Sequence, residues 1–238
     1  MMRLDKMLAD MGIGTRNEIR KACRDGRITV NGTYVRNPAL HVDPENDEVA
    51  VDEETVVYTK YVYFMLNKPK GVISAARDDR MTVLDLIDCG VKGLYPVGRL
   101  DRDTEGLLLI TNDGQLGHQL LSPRHHVEKE YLVTVKNPLK DTDVQRTAAG
   151  LVIDGGEQCL PAQMVILDDL HCRITLTEGK YHQVKRMMEA LDNEVIELRR
   201  IRMKDLLLDE SLEPGAYREL TEEELAGLRG SKNESSAG

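Results

Sequence analysis

Residues 99–105 of the sequence, RLDRDTE, hold Arg99, Asp101, Arg102, Asp103 and Glu105, and an apolar run at residues 107–110 follows directly. A rigid element behind a charged loop can hold a carboxylate at the mouth of a cleft, where it serves as a nucleophile or an electrostatic stabiliser. Asp101, at the centre of the loop, is the candidate for that role. A second candidate is Lys185, which lies near the start of a predicted helix. A cation there opposes the helix dipole unless a carboxylate or phosphate compensates it. Read from residue types alone, a solvated charged turn before an ordinary buried strand is the favoured account of the loop.

The elements that must position these groups are legible from periodicity. Residues 107–110 (LLLI) suit a buried strand, closed by a Thr-Asn-Asp-Gly turn. Residues 61–66 form a second buried strand, broken by the basic turn NKPKG, and Thr82 caps a short helix through Ile87. Residues 115–121 read as a short helix ended by Ser122-Pro123, after which Arg124, His125 and His126 follow. Without a helical i, i+4 His pair or a nearby Cys, the two histidines give no metal-site spacing. Residues 129–135 alternate as a strand with Tyr131, Val133 and Val135 on one face, which favours a core aromatic at Tyr131. Residues 137–150 suggest a surface connection with a helix, and residues 151–154 and 163–167 suggest strands around the Gly155-Gly156 turn. Residues 172–176 add another alternating strand. Val184, Met187, Met188 and Leu191 then fall at i, i+3, i+4 and i+7, one buried stripe of a helix that opens in GKYHQVKRM. A strand near residues 205–208, another at 217–220 and a helix capped by Thr221 complete the pattern.

The first fifty residues are organised differently. Leu4, Met7, Leu8 and Met11 form one helical stripe ending near Gly12, and Thr15 with Glu18 reads as a capping box for a second helix. Arg16, Arg20 and Arg24 recur every four residues on that helix, so their charges project together where a phosphate backbone could lie. Residues 28–30 and 33–35 flank Asn31-Gly32, a strong hairpin signal. The net charge of −9 argues at first against a nucleic-acid partner, but residues 1–36 carry +4, while residues 37–60 and 205–238 carry −6 each. Phosphate attraction follows the local field, so the basic N-terminal patch remains compatible with RNA. The four cysteines form no C-x-x-C pair, which suits reduced thiols. No apolar run approaches the ~18 residues of a membrane span, and no signal-peptide core is present. A cytoplasmic protein without a membrane partner is expected.

Set side by side, these motifs carry a resemblance. GRLDRDTEGLLLITNDG resembles the catalytic signature of pseudouridine synthases, NKPKGVIS resembles the first motif of the same family, and the two helices with the RITVNG hairpin resemble an S4 RNA-binding domain. SPRHHVEKEYLV, EGKYHQVKRM and PGAYRELTEEE are most similar to the small-subunit branch of the rRNA enzymes. The resemblance implies an α+β fold: an S4 domain at residues 1–52, a linker at 53–60, and a synthase domain at 61–230 with a mixed, largely antiparallel sheet flanked by helices. A disordered tail is expected at 231–238. It implies isomerisation of a uridine in ribosomal RNA, uridine 516 of 16S rRNA in the assembling small subunit, by a monomer needing no metal or organic cofactor. Asp101 would be the nucleophile, Tyr131 would stack on the flipped base, and Lys185 would pair with Asp101 where related enzymes carry Arg. Arg99 would assist base flipping. Arg102, Arg16, Arg20, Arg24, Lys68, Arg124 and Arg186 would contact RNA, although Lys68 and its neighbour Lys70 equally suit isolated surface lysines. Two alternatives stay open: a large-subunit rRNA target, and a non-catalytic S4-type RNA-binding or ribosome-assembly protein.

Overall fold

The computed structural model describes residues 1–230; the tail expected at 231–238 lies outside the described residues. The chain divides into two compact units, residues 1–62 with 88–94, and residues 63–87 with 95–230. Among the described residues no helix is long and apolar enough to cross a membrane.

In the first unit, α1 (Leu4–Asp10) and α2 (Arg16–Arg24) precede the strands β1 (Ile28–Val30), β2 (Thr33–Tyr34), β3 (Val49–Val51) and β4 (Glu54–Thr55). The sheet runs β2-β1-β3-β4 and is antiparallel throughout. The capping box forms as expected: the Glu18 amide donates to Thr15 Oγ1 at 3.3 Å and the Thr15 amide to Glu18 Oε2 at 2.7 Å. Asn31 and Gly32, with φ of 50° and 73°, make the left-handed turn that matches the twist of the β1–β2 hairpin. Leu4, Met7, Leu8, Ile19, Cys23 and Ile28 build the core. Arg16, Arg20 and Arg24 remain exposed on the outer face of α2. The segment read as a linker differs from expectation. β4 lies within it, the Val56 amide donates to Val49 O at 2.8 Å, and Val56 and Tyr58 pack on the core. Its apolar residues have a surface to cover, so the chain does not leave the unit at Asp52.

The second unit is built on a nine-stranded mixed sheet. Its main strands are β5 (Tyr63–Lys68), β6 (Glu105–Thr111), β7 (Lys129–Val135), β8 (Gln163–Ile166), β9 (His171–Leu176), β10 (Val195–Met203) and β11 (Tyr217–Glu219), in the order β8-β9-β7-β10-β6-β5-β11. Every neighbouring pair on this path is antiparallel except β10–β6. The helices α3 (Gly114–Leu121), α4 (Asp141–Ala149), α5 (Gln183–Ala190) and α6 (Glu222–Arg229) accompany it. β5 is buried along its whole length and Leu107–Ile110 of β6 are fully buried, as expected of strands covered on both faces. Val133, Ile174, Leu176, Leu198, Val184, Met187 and Met188 form one core cluster, which fixes α5 against β7, β9 and β10.

Two features depart from the sequence reading. Across the Gly155-Gly156 turn, Val152–Ile153 pairs with Glu157–Gln158, while β8 pairs with β9 instead. More consequentially, β10 carries Glu197, Arg199, Arg200 and Arg202 among its nine residues, which hides its alternation, yet it lies centrally between β7 and β6.

The parallel β10–β6 joint depends on Gly106. It adopts φ +100°, and a Cβ there would lie 2.3 Å from Arg200 O. Gly106→Ala is therefore expected to lose at least about 1–3 kcal/mol of stability, read as a fall of several degrees in Tm by calorimetry. An unchanged Tm would contradict this close approach.

Candidate active site

β5 ends in Lys68, whose side chain is fully buried. Its ammonium finds acceptors in the backbone: Nζ donates to Pro69 O at 3.0 Å, Asp101 O at 3.0 Å and Thr104 O at 2.9 Å. The turn after it continues the clamp. The Gly71 amide donates to Arg102 O at 2.7 Å, Arg102 Nε to Gly71 O at 3.1 Å, and Ser74 Oγ to Leu100 O at 2.8 Å. Residues 100–104 have no regular structure of their own, so these bonds give the loop its shape. Burial pulls the Lys68 ammonium down to about 8, with the Asp103, Asp101 and Glu105 carboxylates acting against that shift.

Asp101, with 28 % of its side chain exposed, is presented at the surface of this loop, and α5 brings cations to it. Lys185 Nζ lies 3.1 Å from Asp101 Oδ2 and 2.6 Å from Asp103 Oδ1. Burial works to lower the Lys185 ammonium, but its hydrogen bonds to Asp103 and Asp101 outweigh that and hold it above its ordinary value. The Lys185 hydrogen bond in turn lowers Asp103. These carboxylates supply the compensation that a cation in the first turn of a helix needs. His182, left-handed at φ 48° as the N-cap of α5, places Nε2 3.5 Å from Asp101 Oδ1. A small pocket of about 140 Å³, lined by Lys70, Asp103, Lys185, Val195, Ile196 and Leu198, opens beside the cluster.

Tyr131 is half-buried on β7 and packs on the cluster that holds Val184, Met187 and Met188 of α5, so its ring is on the face that α5 covers. It stands opposite Arg200 of β10, which stands opposite Gly106 of β6. That row puts Tyr131 about 10 Å, two strand spacings, from the strand that follows the Asp101 loop. Tyr131 makes no hydrogen bond to Asp101 or Lys185, so the structure joins the carboxylate to the lysine directly and to the tyrosine only through the sheet register.

Among the other expected residues, Arg99, Arg102 and Arg124 are exposed. Two are corrected. Lys68 is not available to RNA, because its amine is buried and committed to loop carbonyls. Arg186 is also engaged internally: it pairs with Asp154 through Nε and with Glu157 Oε2 at 2.9 Å, and donates to Tyr181 O at 3.1 Å. Only 16 % of its side chain is exposed. Sequence reasoning missed His182 and Asp103 as neighbours of the pair. The signals were present, since His182 and Lys185 stand one helical turn apart and Asp103 follows Asp101 by two positions.

Comparison with known proteins agrees with this organisation. Residues 62–190 match the family model described as RNA pseudouridylate synthase, and residues 2–49 match the S4 domain. An uncharacterised RNA pseudouridine synthase of Bacillus subtilis is 46 % identical over 231 residues, covering 94 % of this chain and 97 % of that protein. The ribosomal small subunit pseudouridine synthase A of Escherichia coli is 43 % identical, covering 95 % of this chain and all of that one. Its Haemophilus influenzae counterpart is 42 % identical, covering 95 % and 99 %. A crystal structure of a pseudouridylate synthase, 41 % identical, superposes with a TM-score of 0.68 over 96 % of this chain and all of that chain.

The contrast between neighbouring lysines is testable. Lys68→Met orphans buried carbonyls at about 1–3 kcal/mol each, so a loss on the order of 3 kcal/mol is expected in denaturant unfolding. Lys70→Met breaks only exposed pairs with Glu105 and Glu197 and is expected to stay within about 0.5 kcal/mol of the parent. Equal effects would remove the structural role assigned to Lys68.

Proposed function

The chain belongs to the RNA pseudouridylate synthase family and carries an S4 domain ahead of its synthase domain, and from that premise we propose that it isomerises a uridine of ribosomal RNA. The target we assign is uridine 516 of 16S rRNA, met in the assembling small subunit by a monomer acting in the cytoplasm. Near-full-length similarity to enzymes named for the small ribosomal subunit supports the choice of RNA.

The observation that carries the chemistry is a solvent-reachable Asp101 carboxylate with the Lys185 ammonium 3.1 Å from one oxygen. In the reaction the C1′–N1 bond of the uridine breaks, the base rotates, and a C1′–C5 bond forms. The proton on C5 is released and N1 gains one, so neither oxidant nor reductant is consumed. Asp101 supplies the carboxylate at C6 or at the ribose C1′. Tyr131 stacks on the base and assists loss of the C5 proton, its flat ring and its hydroxyl serving the two tasks separately. The uridine must first leave its helix, at a cost of a few kcal/mol that phosphate contacts offset. Arg99 serves that step, with Arg102 and Arg124 as further exposed cations. The Arg16, Arg20 and Arg24 face of α2 supplies a sequence-independent hold on the phosphates.

Asp101→Asn keeps the backbone carbonyl that Lys68 grips and leaves Lys185 paired with Asp103. This variant is expected to fold with an unchanged Tm and to release no tritium from C5-labelled 16S rRNA. Measurable release by it would falsify the nucleophile assignment. Release by the parent protein from large-subunit rRNA and not from 16S rRNA would move the target to the other subunit. For the α2 face, changing Arg16, Arg20 and Arg24 together to Ala should weaken RNA binding and flatten its salt dependence by roughly one unit of slope per lost phosphate contact. An unaltered slope would leave that face merely solvated.

A further inference from the structure

Two residues before α5, Tyr181 holds a position that the chemistry above does not use. The residue is 74 % exposed, more than Tyr34 at 67 %, the other strongly exposed tyrosine among the described residues. Its ring is nonetheless ordered against another ring. Tyr181 and His182 stack with centroids 3.8 Å apart and planes 18° from parallel. That arrangement covers one face of the tyrosine and leaves the opposite face to solvent.

The strap that carries the pair is pinned from several sides. Arg186 Nη1 donates to Tyr181 O at 3.1 Å, and Arg186 is itself tied down by Asp154 and Glu157, with Nη2 donating to Asp154 O at 3.1 Å. The Lys180 amide donates to Gln183 Oε1 at 2.9 Å, and Lys180 Nζ to Glu157 at 3.0 Å. The internally locked Arg186 guanidinium thereby fixes the backbone under an exposed ring. The pair is also fixed relative to the reaction centre, since His182 Nε2 is 3.5 Å from Asp101 Oδ1. The imidazole thus meets the Asp101 carboxylate through Nε2 at its edge and the phenol ring through its face.

We propose that Tyr181, backed by His182, is a stacking platform for an RNA nucleobase next to the target uridine. The reacting uracil has Tyr131 as its proposed stacking partner, so the exposed ring of Tyr181 suits a flanking base. An aromatic face accepts any base by stacking, and a ring already ordered loses little freedom when the base arrives. A flanking base held there keeps the strand from closing over the vacated position while the target is out of its helix. The assignment rests on the reading that this enzyme acts on RNA.

The test is a binding cycle on the full chain, using a 16S rRNA fragment that spans uridine 516 and a set of the same fragments with one neighbouring nucleotide made abasic in each. Tyr181→Ala is expected to weaken binding of the intact fragment by about 5- to 150-fold, the range for loss of one base–aromatic stack. Tyr181→Phe, which keeps the ring, restores the affinity. With the abasic site at the stacked position, the parent protein loses the same factor and Tyr181→Ala loses nothing more. A purely structural role for Tyr181 predicts the opposite, a penalty that persists on every abasic fragment, and that result overturns the platform. Unchanged affinity of Tyr181→Ala on the intact fragment overturns it equally. Tritium release by the parent protein is measured alongside. Its absence on rRNA would defeat the proposed reaction while the binding cycle still decides the platform, and its presence without coupling would defeat the platform alone.

Discussion

Burying the Lys68 ammonium obliges the chain to bring oxygen atoms to it, and the oxygens it receives include the carbonyls of Asp101 and Thr104. An unpaired ammonium at that depth would be prohibitively costly, as would the same carbonyls without donors. Each therefore enforces the other. β5 is hydrogen-bonded to β6 on one side and β11 on the other, so Lys68 is a fixed point of the sheet, and the irregular loop from Leu100 to Thr104 is fastened to it. A pKa of about 8 leaves the amine largely protonated at neutral pH, its three protons shared among the carbonyls of Pro69, Asp101, Arg102 and Thr104.

The second fixed point is the parallel seam between β10 and β6. Gly106 admits the Arg200 carbonyl, and Arg200 Nε donates to Leu107 O at 2.8 Å, so the strand that leaves the Asp101 loop is gripped by backbone and side chain of β10 together. β10 also pairs with β7, which carries Tyr131, and packs with α5, which carries Lys185. One strand thus relates all three elements of the proposed site. Because its register with β7 and β6 is set by backbone hydrogen bonds, a one-residue slip would turn Tyr131 to the other face of the sheet.

This explains what could and could not be read in the sequence. The capping box at Thr15, the Asn31-Gly32 hairpin, the α5 stripe and the Leu107–Ile110 strand are local patterns, fixed by neighbours a few residues away, and periodicity exposes them. Asp101 and Lys185 were legible for a different reason, since their motifs resemble a family signature. The role of Lys68 was not legible, because a lysine in a basic turn looks like surface, and its burial follows from a loop more than thirty residues downstream. β10 was obscured by four charged residues whose surroundings are set by strands far away in the chain. Arg186 failed in the same way: the acids that claim it, Asp154 and Glu157, lie in a hairpin remote in sequence.

The choice of lysine at position 185 bears on how Asp101 can act. A guanidinium in its place would engage both carboxylate oxygens in a fork. The ammonium instead divides itself, at 2.6 Å to Asp103 and 3.1 Å to Asp101 Oδ2. Asp103 is largely exposed, and a partly solvated ion pair contributes little to stability, so this triad is better understood as positional. Its effect is to hold one oxygen of Asp101 while the other, Oδ1, faces only His182 at 3.5 Å, beyond the length of a good hydrogen bond. The nucleophilic role proposed for Asp101 needs that asymmetry, one oxygen to orient it and one lone pair not already committed. The sharing of Lys185 between two aspartates supplies it without a second cation.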